Sequence, residues 1–273
     1  MPNTFLALLL AFSSLSCAFC AMGGGGMNIA SRMTEWRIGG LAKCPYVRKG
    51  LMAMWDGEWN AGWGRRTDDA GRWINLVTGE PLELVGSATR GEKYMKPANN
   101  SYFRIPLRFA QEIFDTARGG LTLEIVASPD RMNNVGYFAI KKMEGGGSTA
   151  SDMALSFTTN NLSNGDCATG WLDRLLIYFN HHGCPEYQNY ACKFRATLDG
   201  TGVAIRWKYG ETVKNTSSAG QTSPVTITSG RIGADGAINN GSCKFYSVRI
   251  YSRKLSDAEL EANEAVDHER FST

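Results

Sequence analysis

The stretch that decides the fold is "CKFYSVRIYSRKLSDAELEANEAVDHERF", from Cys243 to Phe271, at the end of the chain. Its first nine residues, CKFYSVRIY, are rich in aromatic and β-branched residues that recur with a period of two, which predicts a β-strand. One face of that strand is predicted to carry Phe245, Ser247, Arg249 and Tyr251, and the other Tyr246, Val248 and Ile250. This last predicted strand therefore belongs to a sheet whose other strands lie earlier in the chain.

The rest of this stretch predicts a helix. Ser256 is a typical N-cap residue, and Glu259 lies three residues later, where its side chain can reach back to the cap amide. Leu255, Leu260 and Ala265 give the helix an apolar side. We therefore expect the helix to pack on the sheet that the last strand completes.

The chain before this stretch consists of short strand-like runs separated by Gly, Asn and Asp, with one helical segment at Arg108–Arg118. Asp199-Gly200 separates two of the runs as a hairpin turn does. Recurring short strands of this kind predict an antiparallel sandwich or barrel. The runs are "LMAMW", "LTLEIVAS", "GYFAIKK", "MALSFTTN", "RLLIYFNHH", "KFRATLDG", "VAIRWKYGE" and "PVTITSGRIG".

The beginning of the chain predicts export. Residues 1–21 carry no charged side chain and contain an apolar run from Phe5 to Phe12, as secretory signal peptides do. An uncleaved anchor is the alternative. Residues 22–45 include four consecutive glycines and predict a flexible segment. The folded domain is then predicted over residues 46–273, in a protein that is secreted or held at the cell surface.

Composition narrows the class of protein. A hydrophobic content of 43% supports a substantial core, and no stretch after residue 21 approaches membrane length. The net charge of +3 is too small to indicate a nucleic-acid partner. Composition thus predicts an exported globular protein with no membrane span once the signal is removed.

The odd number of cysteines after residue 21 leaves the disulfide pattern open. Cys192 and Cys243 both begin strand-like runs, so a disulfide between them is an option if those strands are neighbours. The five candidates are Cys44, Cys167, Cys184, Cys192 and Cys243.

Several of these segments resemble laminin G-like domains of the concanavalin A-like lectin/glucanase superfamily. "SVRIYSRKLSDAELEAN" is similar to the family's closing strand and helix, and "KFRATLDGTGVAIRWKYGETV" to a pair of its strands. "RIGADG" and "GLMAMWDGEWNAGWG" also resemble strands of that family. The resemblance covers roughly Gly50 to Phe271. It implies an all-β, two-sheet antiparallel jelly-roll sandwich with a short C-terminal helix, in which the last strand pairs near the first.

The resemblance also bears on catalysis. Enzymes with this fold use a strand with the pattern Glu-x-Asp-x-x-Glu, which places carboxylates on one face for glycoside hydrolysis. The chain lacks this pattern, and "LTLEIVASPD" offers only Glu124 and Asp130. The sequence therefore predicts that the protein is not an enzyme. A degenerate glycoside hydrolase remains an alternative.

A calcium site is a further implication of the resemblance, because laminin G-like domains often hold calcium at the rim of the sandwich. Asp56, Asp68 and Asp69 supply the oxygen ligands that calcium prefers. Some family members have an aspartate where this chain has Tyr246, so the site is altered or absent. Aspartates at these positions are also common turn formers.

Tryptophans in the glycine-rich segment "GEWNAGWG" are the candidates for carbohydrate binding. Trp59 and Trp63 would stack on the apolar face of a sugar if they were exposed. The alternative is that they cover the sheet edge as part of the core, as we expect for Trp55, Trp73 and Trp207.

Together these observations predict a non-catalytic, exported binding module that recognises a carbohydrate or a surface glycoconjugate, with a glycan or a cell-surface protein as its partner. The alternative is a structural or adhesive component of a cell envelope or particle. An exposed aromatic with convergent polar groups would favour the binding module, and a flat apolar patch the structural component.

Overall fold

A computed structural model describes residues 43–117, 119–129, 135–142, 153–159, 166–172, 175–180, 192–198, 203–208, 212–216, 226–233 and 243–271. The predicted signal peptide, almost all of the glycine-rich segment, Asp130 and the predicted turn at Asp199-Gly200 lie outside these ranges. Within them, neither helix combines the length and the apolar character needed to cross a bilayer.

The described residues form two helices and a series of strands. The helices are α1 (Leu107–Ala117) and α2 (Asp257–Phe271). The strands are β1 (Leu51–Asp56), β2 (Trp73–Ile74), β3 (Pro81–Val85), β4 (Ala88–Arg90), β5 (Met95–Pro97), β6 (Tyr102–Ile105), β7 (Leu121–Pro129), β8 (Val135–Lys141), β9 (Met153–Thr159), β10 (Asp166–Leu172), β11 (Leu175–Asn180), β12 (Cys192–Leu198), β13 (Val203–Lys208), β14 (Thr212–Thr216), β15 (Ser229–Ile232) and β16 (Cys243–Tyr251). Each run that the sequence predicts as a strand overlaps one of them.

The strands form two antiparallel sheets. Sheet 1 has the order β14-β13-β12-β7-β16-β5-β4, with β1 also paired to β16. Sheet 2 has the order β11-β10-β9-β8-β15-β6-β3-β2. The predicted all-β, two-sheet antiparallel sandwich with a short C-terminal helix is confirmed.

The apolar core lies between the two sheets. Side chains from both sheets are buried in it together with one side of α1, whose Phe109 ring packs edge-on against Trp55 at 6.2 Å. Each such side chain contributes about 1.5–3 kcal/mol when fully buried. The sheet residues include Trp55, Leu123, Ile125, Val248 and Ile250 from sheet 1 and Phe103, Ile105, Phe138, Ile140 and Ile232 from sheet 2.

The closing strand β16 lies beside the opening strand β1, as the sequence resemblance implies. Trp55 is opposite Val248, and Asp56 is opposite Ser247. The predicted alternation is wrong at Phe245, because the register with β7 shifts between Phe245 and Ser247. A bulge of one residue reverses the facing of everything before it. Phe245 therefore joins Val248 in the core between the sheets.

Helix α2 begins as predicted and packs on the outer face of sheet 1. The Ser256 amide donates to Glu259 Oε2 (3.0 Å), and the Glu259 amide donates to Ser256 Oγ (3.3 Å), so both halves of a capping box are present. Leu260 is buried, but Ala265 is exposed, which corrects the predicted apolar side. The buried positions are Leu260, Asn263, Asp267 and Phe271, and two of these four are polar.

A buried ionic network explains that polar side. Arg249 of β16 donates to both carboxylate oxygens of Asp267 (2.6 and 2.7 Å) and through Nε to Glu124 of β7 (3.1 Å). Asn263 donates to the same Glu124 oxygen (2.7 Å). The side chains of the three charged residues are each 1% exposed. Burial alone would lower the pKa of Arg249, but the charges of Asp267 and Glu124 raise it.

The structure also corrects one cysteine hypothesis. Strand β7 lies between β12, which carries Cys192, and β16, which carries Cys243. Strands two places apart in a sheet are separated by about 10 Å. A disulfide needs Cα atoms within about 7 Å, so these two cysteines do not form the disulfide that the sequence left open. Cys44 is a buried free thiol.

The capping box predicts an acid-sensitive contribution to stability. Hydrogen bonds from Arg253 (2.6 and 2.8 Å) and from the Ser256 amide lower the pKa of Glu259 to about 2. A depressed carboxyl pKa stabilises the fold above the unfolded value of 4.5, and this contribution is lost as pH falls towards 2. We expect Glu259→Gln to lower the free energy of unfolding at pH 6 by about 0.5–1 kcal/mol, since the pair is partly exposed.

Urea unfolding at pH 6 and at pH 3 checks this prediction. The deficit of Glu259→Gln should shrink at the lower pH, because the native protein then loses part of the same contribution. Glu261→Gln, which removes an exposed carboxylate from the same helix, is the control. A deficit that is independent of pH would contradict the prediction.

Candidate functional site

The loop that carries the predicted site residues follows β1 and is held by Asp56. The Asp56 side chain is fully buried and forms a two-point ion pair with Arg270 of α2 (2.8 and 3.0 Å). Its Oδ1 also accepts hydrogen bonds from the amides of Glu58 and Trp59 (both 3.0 Å). Burial alone would lower the pKa of Arg270, but the charge of Asp56 raises it. Asp56 therefore fixes the start of the loop to helix α2.

Trp63 lies inside a second apolar cluster between this loop, sheet 1 and α2. The residue is 7% exposed, and its Nε1 donates to the Leu76 carbonyl (2.7 Å). Trp55 and Trp73 are fully buried, as predicted. The Trp207 side chain lies outside the described part of the chain. The position of Trp63 favours the alternative in which this residue belongs to the core rather than to a sugar-binding surface.

Trp59 is half-buried and is the more accessible of the two loop tryptophans. The guanidinium of Arg270 lies 4.0 Å from the centre of its ring, and the Trp63 ring is 5.8 Å away. These neighbours fix the orientation of the indole but cover much of it. Trp59 is thus only partly accessible to a ligand.

The three aspartates of the predicted calcium site do not converge. Asp68 is 94% exposed on its side chain and lies 3.3 Å from Arg90, while Asp69 accepts a hydrogen bond from the Gly71 amide (2.8 Å). Among the described residues, no group of three His, Cys, Asp or Glu side chains is placed to hold a metal ion. Calcium binding stays a prediction.

A second surface was not predicted from the sequence. It lies on the outer face of sheet 2, where Tyr102 and Arg104 of β6 stand beside Arg231 of β15 and Glu83 of β3. We call these four residues the Tyr102 cluster. Arg104 is directly opposite both Arg231 and Glu83 in the strand register.

Contacts between the side chains of the Tyr102 cluster hold them in position. The Arg231 guanidinium lies 4.4 Å above the Tyr102 ring, and its Nε donates to Ser229 Oγ (2.9 Å). Arg104 pairs with Glu83 (2.8 Å), and these side chains are 45% and 64% exposed. An aromatic ring, two guanidinium groups and a carboxylate are thus available together at the surface.

The sequence predicts which side chains of each strand share a face, but not that these strands are neighbours. Alternation in "YFRI" places Tyr102 and Arg104 on one face, and alternation in "SGRI" places Ser229 and Arg231 on one face. More than a hundred residues separate the two strands, so their pairing is a property of the fold and is not visible in a local pattern.

Comparison with known proteins gives a likeness in fold alone. No protein-family model and no curated protein matches the chain. Among solved structures, Trypanosoma rangeli sialidase in complex with the inhibitor DANA matches with a TM-score of 0.58 and 12% identity, over 85% of this chain and 37% of that chain. The receptor binding domain of botulinum neurotoxin C/D mosaic serotype matches with a TM-score of 0.51 and 10% identity, over 80% of this chain and 51% of that chain.

The chain therefore spans about a third of the sialidase and half of the toxin domain. At these identities the likeness supports a β-sandwich fold of the kind found in both proteins. The finer laminin G-like and concanavalin A-like assignment stays a prediction.

Asp56, at the end of β1, and Asp68, in the loop that follows, differ strongly in burial and give a direct test of how the loop is anchored. We expect Asp56→Ala to lower the free energy of unfolding by about 3–5 kcal/mol, because it leaves Arg270 without its buried partner. Asp68→Ala should change it by less than about 0.5 kcal/mol, because the Asp68 carboxylate is solvated. Urea unfolding of both variants is the measurement, and equal effects would contradict this account of the loop.

Proposed function

We propose that the chain is an exported, non-catalytic module that binds a carbohydrate or a surface glycoconjugate, and that the Tyr102 cluster is its binding surface. The observation that carries this proposal is the placement of a partly exposed aromatic ring beside exposed charged groups on paired strands. Strands hold such groups in fixed positions, so little conformational entropy is lost when a ligand binds.

The chemistry of the Tyr102 cluster suits a sugar. The ring of Tyr102 provides an apolar surface for the C–H side of a pyranose. Arg104 and Arg231 donate hydrogen bonds to hydroxyl oxygens, and Glu83 accepts hydrogen bonds from hydroxyl groups. Trp59, on the loop after β1 and packed against Arg270 of α2, is proposed as a separate sugar contact.

The structural neighbours add support at the level of fold. One is Trypanosoma rangeli sialidase in complex with sialic acid, and another is a toxin receptor binding domain. These proteins bind a sugar and a receptor respectively, so related sandwiches occur in proteins that recognise cell-surface ligands. A glycan or a cell-surface protein is accordingly the proposed partner.

The exposed surface favours this proposal over a structural or adhesive packing unit. Such a unit would present a flat apolar patch to its neighbours. Among the residues whose side-chain exposure the structure describes, Leu107 is the one large apolar side chain that is largely exposed, at 52%. A single exposed leucine does not make a packing surface.

The absence of catalysis is proposed on two grounds. The sequence lacks the Glu-x-Asp-x-x-Glu pattern of glycosidases with this fold. Glu124, the one carboxylate of β7, lies under α2 with its side chain 1% exposed and paired to Arg249, where no sugar reaches it. Export rests on residues 1–21, and calcium dependence is left to the binding experiment.

Binding to a glycan array, with calcium and with a chelator, tests the proposal. We expect Tyr102→Ala to weaken binding at least about fivefold, which corresponds to about 1 kcal/mol of lost ring contact. Tyr94→Ala is the matched control, because Tyr94 is another half-buried tyrosine with a cation, Lys244, 5.2 Å from its ring. The Tyr94 variant should bind normally.

Thermal unfolding of both tyrosine variants should accompany the array, so that a loss of binding is not confused with a loss of folding. Two results would contradict the proposal. One is that no glycan binds, and the other is that the two tyrosine variants lose binding equally while they stay folded.

A further inference from the structure

We infer that the ligand of the Tyr102 cluster carries a carboxylate, and that the free edge of the Arg231 guanidinium binds it at two points. This inference rests on the proposed function and names the class of sugar, an acidic one. It follows from the hydrogen bonds, the charge and the shape of the cluster.

The hydrogen bonds of Arg231 leave its terminal nitrogens available. A guanidinium has five N–H donors, and Arg231 uses the one on Nε, which donates to Ser229 Oγ (2.9 Å). Its guanidinium carbon lies 4.4 Å from the centre of the Tyr102 ring, a contact that involves no N or O acceptor. Within the described residues, no acceptor lies within hydrogen-bond distance of the other four N–H groups. They form the planar fork that matches a carboxylate.

The same guanidinium is held in place on two sides. Ser229 fixes the Nε end, and the ring of Tyr102 supports the face. A donor group that is already oriented loses less entropy when a ligand binds, so a fixed arginine is a better anchor than a free one. Arg231 is half-buried, which also reduces the screening of its charge by solvent.

The Tyr102 cluster has a net positive charge, which favours an anionic ligand. Arg231 and Arg104 are directly opposite each other on paired strands, and like charges in this position are destabilising. Glu83 is paired with Arg104 (2.8 Å). Within the described part of the chain, no carboxylate lies within ion-pair distance of Arg231. The two arginines and one glutamate leave one positive charge, which a single carboxylate would balance.

The remaining groups indicate that the carboxylate belongs to a sugar. Glu83 is 64% exposed, and its carboxylate would repel a ligand with several negative charges but would accept hydrogen bonds from hydroxyl groups. Tyr102 provides the apolar contact for a ring. An acidic monosaccharide, with one carboxylate and several hydroxyl groups, fits these three features together.

The test compares three groups of glycans on one array, which the full chain and its variants probe at low and at physiological salt. The groups end in a carboxylate sugar (a uronic or a sialic acid), in a neutral sugar, or in a sulfated neutral sugar. We expect binding to the carboxylate group, weaker at the higher salt concentration. Methyl esters of the same carboxylate glycans, which remove the charge and keep the ring, should bind poorly.

The variants separate the charge of Arg231 from its shape. We expect Arg231→Met, which keeps a long side chain over Tyr102, to weaken binding to carboxylate glycans roughly ten- to a hundredfold. Arg231→Lys keeps the charge but not the fork, so its loss should be smaller. Arg65→Ala removes the same charge from an exposed position on the loop after β1 and should bind normally. Circular dichroism and thermal unfolding confirm that each variant is folded.

The outcomes distinguish this inference from the proposed function. Equal binding to the carboxylate glycans and their methyl esters, or to sulfated glycans, would overturn the carboxylate assignment and leave carbohydrate binding intact. The same holds if only neutral glycans bind. The absence of binding to any glycan would overturn both.

Discussion

The structure depends on the buried ion pair between Arg249 of the last strand and Asp267 of the last helix, with Glu124 completing the set. Charges that are almost fully buried are costly unless each finds a partner with good geometry. Here one guanidinium contacts two carboxylates, and its central carbon lies 4.0 Å from the centre of the Tyr46 ring. Misplacing α2 would leave these charges unpaired. The network therefore restricts α2 to one position on sheet 1.

The position of α2 determines which outer face of the sandwich is covered. Arg270, near the end of α2, reaches Asp56 and the ring of Trp59, so the helix also fixes the loop after β1. The central part of the outer face of sheet 1 is covered as a result. The outer face of sheet 2 is different, because Arg104 and Glu83 remain exposed there. The sandwich thus has one face closed by its own C-terminal segment and one face on which charged and aromatic groups meet solvent.

Local patterns in the sequence predict where most of the longer strands and the helices lie. They do not predict which side chains of distant segments pack against them. The capping box of Ser256 and Glu259 involves residues three apart, so the sequence predicts it directly. Alternation predicts the wrong face for Phe245, because the bulge that reverses it depends on the partner strand. The apolar pattern of the helix predicts a buried Ala265, whereas the buried side carries Asp267. The reason is the charge of Arg249 on the sheet, which no helical pattern shows. Trp63 is a sugar-binding candidate because of its glycine-rich, loop-like segment, and the sequence gives no sign that neighbouring strands bury it. The Tyr102 cluster is not predictable from a local pattern because its strands are distant in sequence.

The account is tested most directly by a double-mutant cycle between Arg249 and Asp267. Unfolding free energies of Arg249→Met, Asp267→Leu and the double variant give the coupling energy of the pair. If the network fixes the helix, the coupling should be about 2 kcal/mol or more, and the double variant should be more stable than the sum of the single effects implies. A coupling below about 0.5 kcal/mol would mean that the two residues act independently, and the ion pair would not be what holds the C-terminal helix on the sandwich.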